Sequence, residues 1–339
     1  MTSEGAKDRV IVGSGDHRFE VYDDWAKLPE GWDFREAVGV TCDSHDRVYV
    51  FSRSEHPVCV FDRDGNFLSS WGEGDAFTRP HSIFCSPDDH IWIADDCGHV
   101  VHKFTPDGQL LMTLGERGKP SDTGIEDNAF RTIKRRAGPF NLPTHPHVTA
   151  DGDIWISDGY GNTAIHHFSP DGKLLFTFGE PGKGESQFSV PHGIMLSRDG
   201  ILYVCDREYS RIQRFDQDGN FIDFFGDVSR PCLTAEDKDG LIYVSEVGFR
   251  AGMYHGMPVP DDPPNSNVSI FTPTGEMVTR WGGPESELPG NFWAANGIAL
   301  DSHGDIYTAE VRPGAFEEIK PQGEEAPSGV PVLQKFVRI

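Results

Sequence analysis

Arg-Pro-His-Ser-Ile, at residues 79–83, nearly recurs as Val-Pro-His-Gly-Ile at residues 190–194. In both copies an Asp follows the His seven residues later, and an apolar stretch comes next, HIWIAD or ILYVCD. Apolar stretches of this kind, bounded by polar turns, are typical of β-strands. A pattern that recurs in this way indicates structural repeats, which have to be traced before any domain boundary is placed.

Six copies can be traced at a spacing of roughly 40 residues, and each predicts four short strands joined by Asp-Gly or similar turns. The copies span approximately residues 38–74, 78–118, 142–182, 190–228, 230–283 and 295–339. The sixth copy lacks a fourth strand, which an orphan strand near residues 18–23, inside the segment 9–24, can supply. The sequence therefore predicts one all-β domain over residues 1–339, a six-bladed β-propeller closed by its N-terminal strand.

Composition limits the partners that we expect. The chain has 339 residues and a formal net charge of −24, whereas nucleic acids and anionic membranes select basic surfaces. No stretch approaches the roughly 18 apolar residues of a membrane span, and the N-terminal segment lacks the apolar core of a signal peptide. The six cysteines form no Cys-x-x-Cys pair, which favours free thiols in a reducing cytoplasm. We therefore expect a cytoplasmic protein with a small-molecule substrate, and we leave its oligomeric state open.

Four segments do not follow the strand pattern of the repeat. Residues 1–8 are expected to be disordered. The segments that exceed hairpin length are residues 116–141, 248–267 and 312–332, and such loops are usually covers of a site or mobile. The first of them holds a basic cluster that could receive an anionic group or form a solvated surface: Arg131, Lys134, Arg135 and Arg136.

One position of the repeat is expected to line the central channel, because the inner strands of a propeller surround its axis. We call this position the channel slot. Counting back seven residues from each turn gives, for blades one to six, Val38, His81, Thr144, His192, Cys232 and Asn296. A shift of one residue in blade three would place His145 in the slot instead of Thr144.

Slots two, four and six alternate around the ring, so the side chains of His81, His192 and Asn296 should converge. Three such ligands and a water make the open tetrahedral site of a catalytic metal. Two imidazoles indicate zinc or another divalent metal, whereas the neutral amide of Asn296 suits a harder ion such as calcium. The third ligand is Asn296, a His of blade three (His145 or His147) or water. The alternative is that these residues are ordinary hydrogen-bonded residues of inner strands.

Three further candidates follow the second strand of their blades, at one face of the ring. Tyr160 could exchange a proton with a substrate, and Arg53 and Arg207 could hold a carboxylate or a developing oxyanion. Their structural alternatives are a turn residue for Tyr160 and an ion pair with Asp206 or Glu208 for Arg207.

The repeats resemble NHL repeats, and RPHSI, SDGYGN, FSVPHGI and DREYSRIQRF resemble the motifs of peptidyl-α-hydroxyglycine α-amidating lyases. The resemblance covers about residues 38–339 and implies a six-bladed propeller with zinc held by His from alternate blades. By motif, it implies that His81 and His192 are zinc ligands and that Tyr160 is the catalytic phenol. It also implies that Arg53 and Arg207 are the guanidinium partners of that phenol.

The chain departs from that family at three positions. Asn296 stands where the third zinc ligand is expected, and Gly297 stands where an acidic calcium ligand is expected. Gly161 replaces a disulfide-forming Cys beside Tyr160. We expect a metal-dependent lyase that acts on a small hydroxylated or carbonyl substrate at the channel. The alternatives are a gluconolactonase-like metal-dependent hydrolase and a non-catalytic NHL scaffold.

Overall fold

The computed structural model describes residues 9–249, 264–311 and 330–339. Residues 1–8, which we expected to be disordered, lie outside these ranges, as do most of the long segments 248–267 and 312–332. In the described part of the chain, six sheets of four or five strands follow one another along the sequence, together with one short two-stranded ladder. The sheets form the six-bladed β-propeller that the repeats predict.

The strands follow the repeat. The N-terminal strands are β1 (Ile11–Ser14) and β2 (His17–Tyr22). Blade 1 contains β3 (Ala37–Cys42), β4 (Val48–Ser52), β5 (Val58–Phe61) and β6 (Phe67–Trp71). Blade 2 contains β7 (Pro80–Cys85), β8 (Ile91–Asp95), β9 (Val100–Phe104) and β10 (Leu110–Gly115). Blade 3 contains β11 (Pro143–Val148), β12 (Ile154–Asp158), β13 (Ala164–Phe168) and β14 (Leu174–Phe178).

The second half of the ring repeats the plan. The two-residue strands β15 (Glu180–Pro181) and β16 (Gln187–Phe188) pair in the connection to blade 4. Blade 4 contains β17 (Pro191–Leu196), β18 (Leu202–Asp206), β19 (Arg211–Phe215) and β20 (Phe221–Phe225). Blade 5 contains β21 (Pro231–Glu236), β22 (Ile242–Glu246), β23 (Asn267–Phe271) and β24 (Met277–Trp281). Blade 6 contains β25 (Ala295–Leu300), β26 (Ile306–Glu310) and β27 (Leu333–Arg338).

Helix is scarce in the described residues, where short 3₁₀ turns span Phe130–Thr132 and Arg207–Tyr209. No helix there is both long and apolar enough to cross a membrane.

The inner strands form a closed ring, because β3, β7, β11, β17, β21 and β25 each contact the next one and β25 contacts β3 again. Large side chains fill the spaces between neighbouring blades, among them the fully buried Trp92 and Trp155. In three blades a buried tyrosine adds a hydrogen bond from its hydroxyl to an inner-turn carboxylate. These 3.1 Å bonds join Tyr49 to Asp43, Tyr243 to Asp237 and Tyr307 to Asp301. In these three blades the bond helps to fix the turn that follows the inner strand.

The two ends of the ring join in blade 6. Strand β2 pairs antiparallel with β27, with Phe19 opposite Arg338 and Tyr22 opposite Lys335. Phe19 is fully buried, and its ring lies 5.4 Å from that of Trp281 in blade 5. The predicted closing strand is thus confirmed. The sheet goes beyond the prediction because β1 pairs with β2 as a fifth strand at its outer edge.

Candidate active site

Each inner strand has an irregularity at its channel slot, which changes the direction of the side chain there. The pairing of every inner strand with its neighbour is interrupted at the slot, as between Pro80 and Ser82 or between Ala295 and Gly297. In blade 4 the interruption covers both His192 and Gly193. A β-bulge leaves its extra residue outside the ladder and redirects that side chain. The slots counted from the sequence are therefore the bulged positions of the fold.

Blade 3 places Thr144 in the slot, between Pro143 and His145. The hydroxyl of Thr144 donates to Pro191 O of blade 4 at 2.8 Å, and Ser157 Oγ donates to His192 O at 2.7 Å. Blade 3 is therefore tied to the backbone of slot four.

His145, the alternative third ligand, lies one residue beyond the slot and pairs with Ser157. Its ring and that of His147 lie 6.0 and 4.8 Å from the ring of Phe84. Burial lowers the pKa of His145 to about 3 and that of His147 to about 4, so both are neutral at physiological pH. In the described residues, no hydrogen bond joins His145 to the imidazoles of slots two and four.

The three alternate slots are anchored in the same way. His81 Nδ1 donates to Thr144 O at 2.7 Å, and His192 Nδ1 donates to Cys232 O at 3.0 Å. Asn296 Nδ2 donates to Val38 O at 2.7 Å. Each side chain thus donates to the carbonyl of the next slot around the ring. Asn296 occupies the anchoring position that imidazoles take in the other two blades.

The two imidazoles converge on the phenol of Tyr160. Tyr160 Oη lies 3.3 Å from His81 Nε2 and 3.2 Å from His192 Nε2. Both Nδ1 atoms donate to carbonyls, so each neutral ring presents a lone pair at Nε2. The phenol has one proton and can satisfy only one of these lone pairs at a time. The site therefore brings together three acceptor atoms that share a single proton.

Burial keeps both imidazoles neutral. His81 and His192 are 2% and 1% exposed. Burial holds the pKa of His81 well below its usual range, and the charges of Arg53 and Arg79 lower it further. Burial likewise lowers the pKa of His192, with the charges of Arg207 and His81 as the next causes. Protons therefore do not compete for the Nε2 lone pairs near neutral pH.

Arg207 is the cation in contact with the phenol. Its Nη1 donates to Tyr160 Oη at 2.8 Å, and its guanidinium carbon lies 5.0 Å from the centre of the Tyr160 ring. Arg207 also pairs with Glu208, as one structural alternative proposed, and Glu208 Oε1 accepts a second bond from Arg230 at 2.7 Å. Asp206 pairs with Arg211 instead. Arg207 therefore combines an ion pair with a bond to the candidate catalytic oxygen.

Tyr160, Arg53 and Arg207 occupy equivalent places in their blades. The backbone N–H of each donates to the carbonyl two residues before its slot, at 3.2 to 3.3 Å. Arg53 also donates to Pro80 O at 3.0 Å and to Glu36 at 2.6 Å, so it lies against the backbone that precedes His81. The structure thus brings His81, His192, Tyr160 and Arg207 into direct contact and places Arg53 beside them.

Several residues around the site were not singled out from the sequence. Arg79 pairs with Asp96, its Nε donating at 2.7 Å, and Arg230 pairs with Glu208. Arg79 and Arg230 share a signal that could have identified them, since each stands two residues before a slot and precedes a proline. The basic loop cluster, by contrast, is partly neutralised, because Lys134 pairs with Glu126 and Arg135 with Asp122.

The donor set fits a divalent cation. Two neutral imidazoles with fixed tautomers and surplus lone pairs at one point are suited to ions such as zinc, and the carbonyls at Nδ1 orient the rings as outer-shell partners do in metal sites. In the described residues no three His, Cys, Asp or Glu side chains are grouped to hold a metal. Asn296, in the third alternate slot, and Tyr160, in contact with both imidazoles, are the candidates for a third protein ligand.

Asn296→His should strengthen zinc binding, because the anchored amide would be replaced by a third imidazole on the same carbonyl. We expect the affinity to rise by at least about tenfold, equivalent to about 1.4 kcal/mol. Isothermal titration of the metal-free chain with zinc would measure the change, with Asn220→His, in the exposed turn between β19 and β20, as the control. Equal affinity in wild type and Asn296→His would show that slot six does not reach the metal.

No family model matches the chain. NHL repeat-containing protein 3 of Homo sapiens is 34% identical over 206 residues, which are 57% of this chain and 55% of that protein. A probable peptidyl-α-hydroxyglycine α-amidating lyase of Caenorhabditis elegans is 35% identical over 107 residues, 31% of this chain and 27% of that protein. The chain spans about half or less of the length of these relatives. It therefore has NHL-repeat homologues, a lyase among them.

Solved structures share the fold at low sequence identity. A streptogramin B lyase has a TM-score of 0.56 at 14% identity, with 94% of this chain and 97% of that chain covered. A gluconolactonase of Xanthomonas campestris has a TM-score of 0.58 at 15% identity, with 95% and 90% covered. At these identities the likeness shows the propeller fold alone.

Proposed function

We propose that this propeller is a metal-dependent lyase whose reaction centre lies between Tyr160, His81 and His192. One observation carries the proposal: Tyr160 Oη lies within 3.3 Å of both Nε2 atoms and accepts a bond from Arg207 at 2.8 Å. A phenol held between two neutral imidazoles and a guanidinium is arranged for proton transfer rather than for packing. The similarity to an α-amidating lyase supports the same reaction class.

In the proposed reaction Tyr160 acts as the acid and base. After the phenol has lost its own proton to solvent, the phenolate takes the hydroxyl proton of a carbinolamide, the oxygen electrons form a carbonyl, and the C–N bond breaks. The phenol then returns the proton to the departing nitrogen. Arg207 stabilises negative charge on Oη through its hydrogen bond, because a charged donor favours an anionic acceptor.

The imidazoles of His81 and His192 would hold the metal, with Asn296 as the candidate third protein ligand. A bound zinc would supply Lewis-acid polarisation of a substrate oxygen. Anchoring of each Nδ1 to a carbonyl of the next blade keeps both Nε2 atoms directed at one point without side-chain rearrangement.

The charges around the site favour a substrate with an anionic group. Four guanidiniums surround it, on Arg53, Arg79, Arg207 and Arg230. Three of them, on Arg53, Arg79 and Arg207, lie close enough to His81 for their charges to lower its pKa. A small hydroxylated compound that carries a carboxylate next to the reacting carbon would be attracted by these cations.

Metal analysis of the untagged chain, together with an N-acyl-α-hydroxyglycine assay, tests the function. We expect about one equivalent of zinc and release of glyoxylate from the probe. Calcium without zinc, together with lactone hydrolysis, would favour the gluconolactonase-like alternative. A chain that keeps no divalent metal after incubation with zinc and dialysis, and turns over neither probe, would favour the non-catalytic scaffold.

A further inference from the structure

The connection between blades 2 and 3 stands out by its length. It covers residues 116–142, whereas residues 72–79 connect blades 1 and 2, and residues 226–230 connect blades 4 and 5. We call its residues 119–141 the strap. The strap lies against residues 158–163, the loop that carries Tyr160.

Part of this contact belongs to the repeat itself. Tyr160 N donates to Leu142 O at 3.3 Å, and Gly161 N donates to Asn141 O at 3.0 Å. Blade 4 has the same pair of bonds, from Arg207 to Val190 O and from Glu208 to Ser189 O. These bonds hold the Tyr160 loop from the side of the inner strand and belong to the repeat, since blade 4 makes them without a long connection before its inner strand.

Thr123 adds a contact from the strap. Its side chain is fully buried, and its hydroxyl donates to the carbonyl of Gly161 at 2.6 Å. The strap holds Thr123 in turn, because its carbonyl accepts bonds from Lys134 N at 3.0 Å and Arg135 N at 3.2 Å. The residue that follows the phenol is therefore bonded on both sides, by Asn141 and by Thr123.

Gly161 makes this close approach possible. A Cβ on Gly161 would lie 2.1 Å from Asn141 Oδ1 and 2.7 Å from Asn141 O. Asn141 itself is fixed, since its N–H donates to Asp158 at 3.0 Å and its Nδ2 donates to Ser121 O at 2.9 Å. The strap and the Tyr160 loop thus form one hydrogen-bonded unit on the outer side of the phenol.

We propose that Thr123 is a positioning residue for Tyr160, acting through the carbonyl of Gly161. The role rests on the proposed function, in which the phenol must stay between two imidazoles on different blades. A hydroxyl bond to the neighbouring peptide limits the rotation of that peptide, and hence the displacement of Tyr160 Oη. Displacements of about 1 Å at a reacting group can cost on the order of 100-fold in rate.

Thr123→Val tests this role, because valine keeps the shape and removes the hydroxyl. We expect kcat to fall about tenfold with KM within about twofold. Hydrogen exchange of the amides in residues 158–163 should be about fivefold faster, as expected for one lost hydrogen bond. Thr123→Ser should restore both values. Thr132→Val is the matched control, because the Thr132 hydroxyl bonds Ala129 O within the strap at 2.7 Å.

Unchanged exchange in Thr123→Val, or the same change in Thr132→Val, would overturn the positioning role. Normal wild-type turnover with an unaltered kcat in Thr123→Val would contradict this role alone. Absence of turnover in the wild-type chain would contradict the proposed lyase, and the exchange rates would then still report whether Thr123 holds the loop.

Discussion

Tyr160→Phe is expected to abolish most turnover while leaving the fold and the metal content intact. The ring contacts should persist, since the phenol ring lies 5.1 Å from the ring of His81 and 5.6 Å from that of His192. Only Oη is lost, and with it the atom that accepts the substrate's hydroxyl proton and returns it to the departing nitrogen. Loss of a general acid–base group typically lowers the rate by about 10²- to 10⁴-fold. Steady-state kinetics with the N-acyl-α-hydroxyglycine probe would measure the decrease.

Tyr209→Phe is the matched control for this variant. Tyr209 ends the 3₁₀ turn that begins at Arg207, close to the site in sequence. Its ring lies 5.8 Å from the Lys183 ammonium and 5.3 Å from the Arg211 guanidinium. We expect its turnover to stay near that of the wild type. If Tyr160→Phe turned over as fast as this control, the phenol would have no role in the reaction, whatever the metal content.

The double variant His81→Asn/His192→Asn is expected to lose the metal and the activity together. Asparagine is the informative replacement, because Asn296 shows that an amide in an alternate slot can keep the bond to the next carbonyl. The ring should therefore stay intact while both imidazoles are removed. Zinc content should fall from about one equivalent to close to zero, and the stabilisation that bound zinc gives should disappear.

Metal analysis by mass spectrometry and thermal unfolding with and without zinc would measure these losses. His45→Asn is the control, because that side chain is 71% exposed and pairs with Asp89 in a surface turn. Zinc retained in the double variant at the wild-type level would place the metal elsewhere in the chain. It would also show that the two imidazoles are not metal ligands.

The fold could be predicted from the sequence because each blade repeats the same local signals. A polar turn and an apolar second strand recur in each copy, and every inner strand has an irregularity at its slot. The fifth strand of blade 6 could not be predicted in this way, since β1 belongs to no copy. Its position depends on pairing with β2, which the repeat does not encode.

The site was only partly predictable. Repeat position identifies slots two and four, because equivalent residues in equivalent strands must face the same axis. It does not give the contact between Tyr160 Oη and both Nε2 atoms, because the residue at this place differs between blades, being Arg53, Tyr160 or Arg207. It also does not identify Thr123, which lies in a connection without counterpart in other blades. Contacts made by segments that occur only once cannot be predicted from the repeat.

Blade 3 supplies neither of the two imidazoles, but it sets the distance between their rings. Towards blade 2, the carbonyl of Thr144 accepts the bond from His81. Towards blade 4, the hydroxyls of Thr144 and Ser157 donate to the carbonyls of Pro191 and His192. The third blade thus works as a spacer of fixed width. In the proposed metal site, the separation of the two Nε2 atoms would follow from these Thr144 and Ser157 contacts, so substitutions there are expected to change which ion is bound.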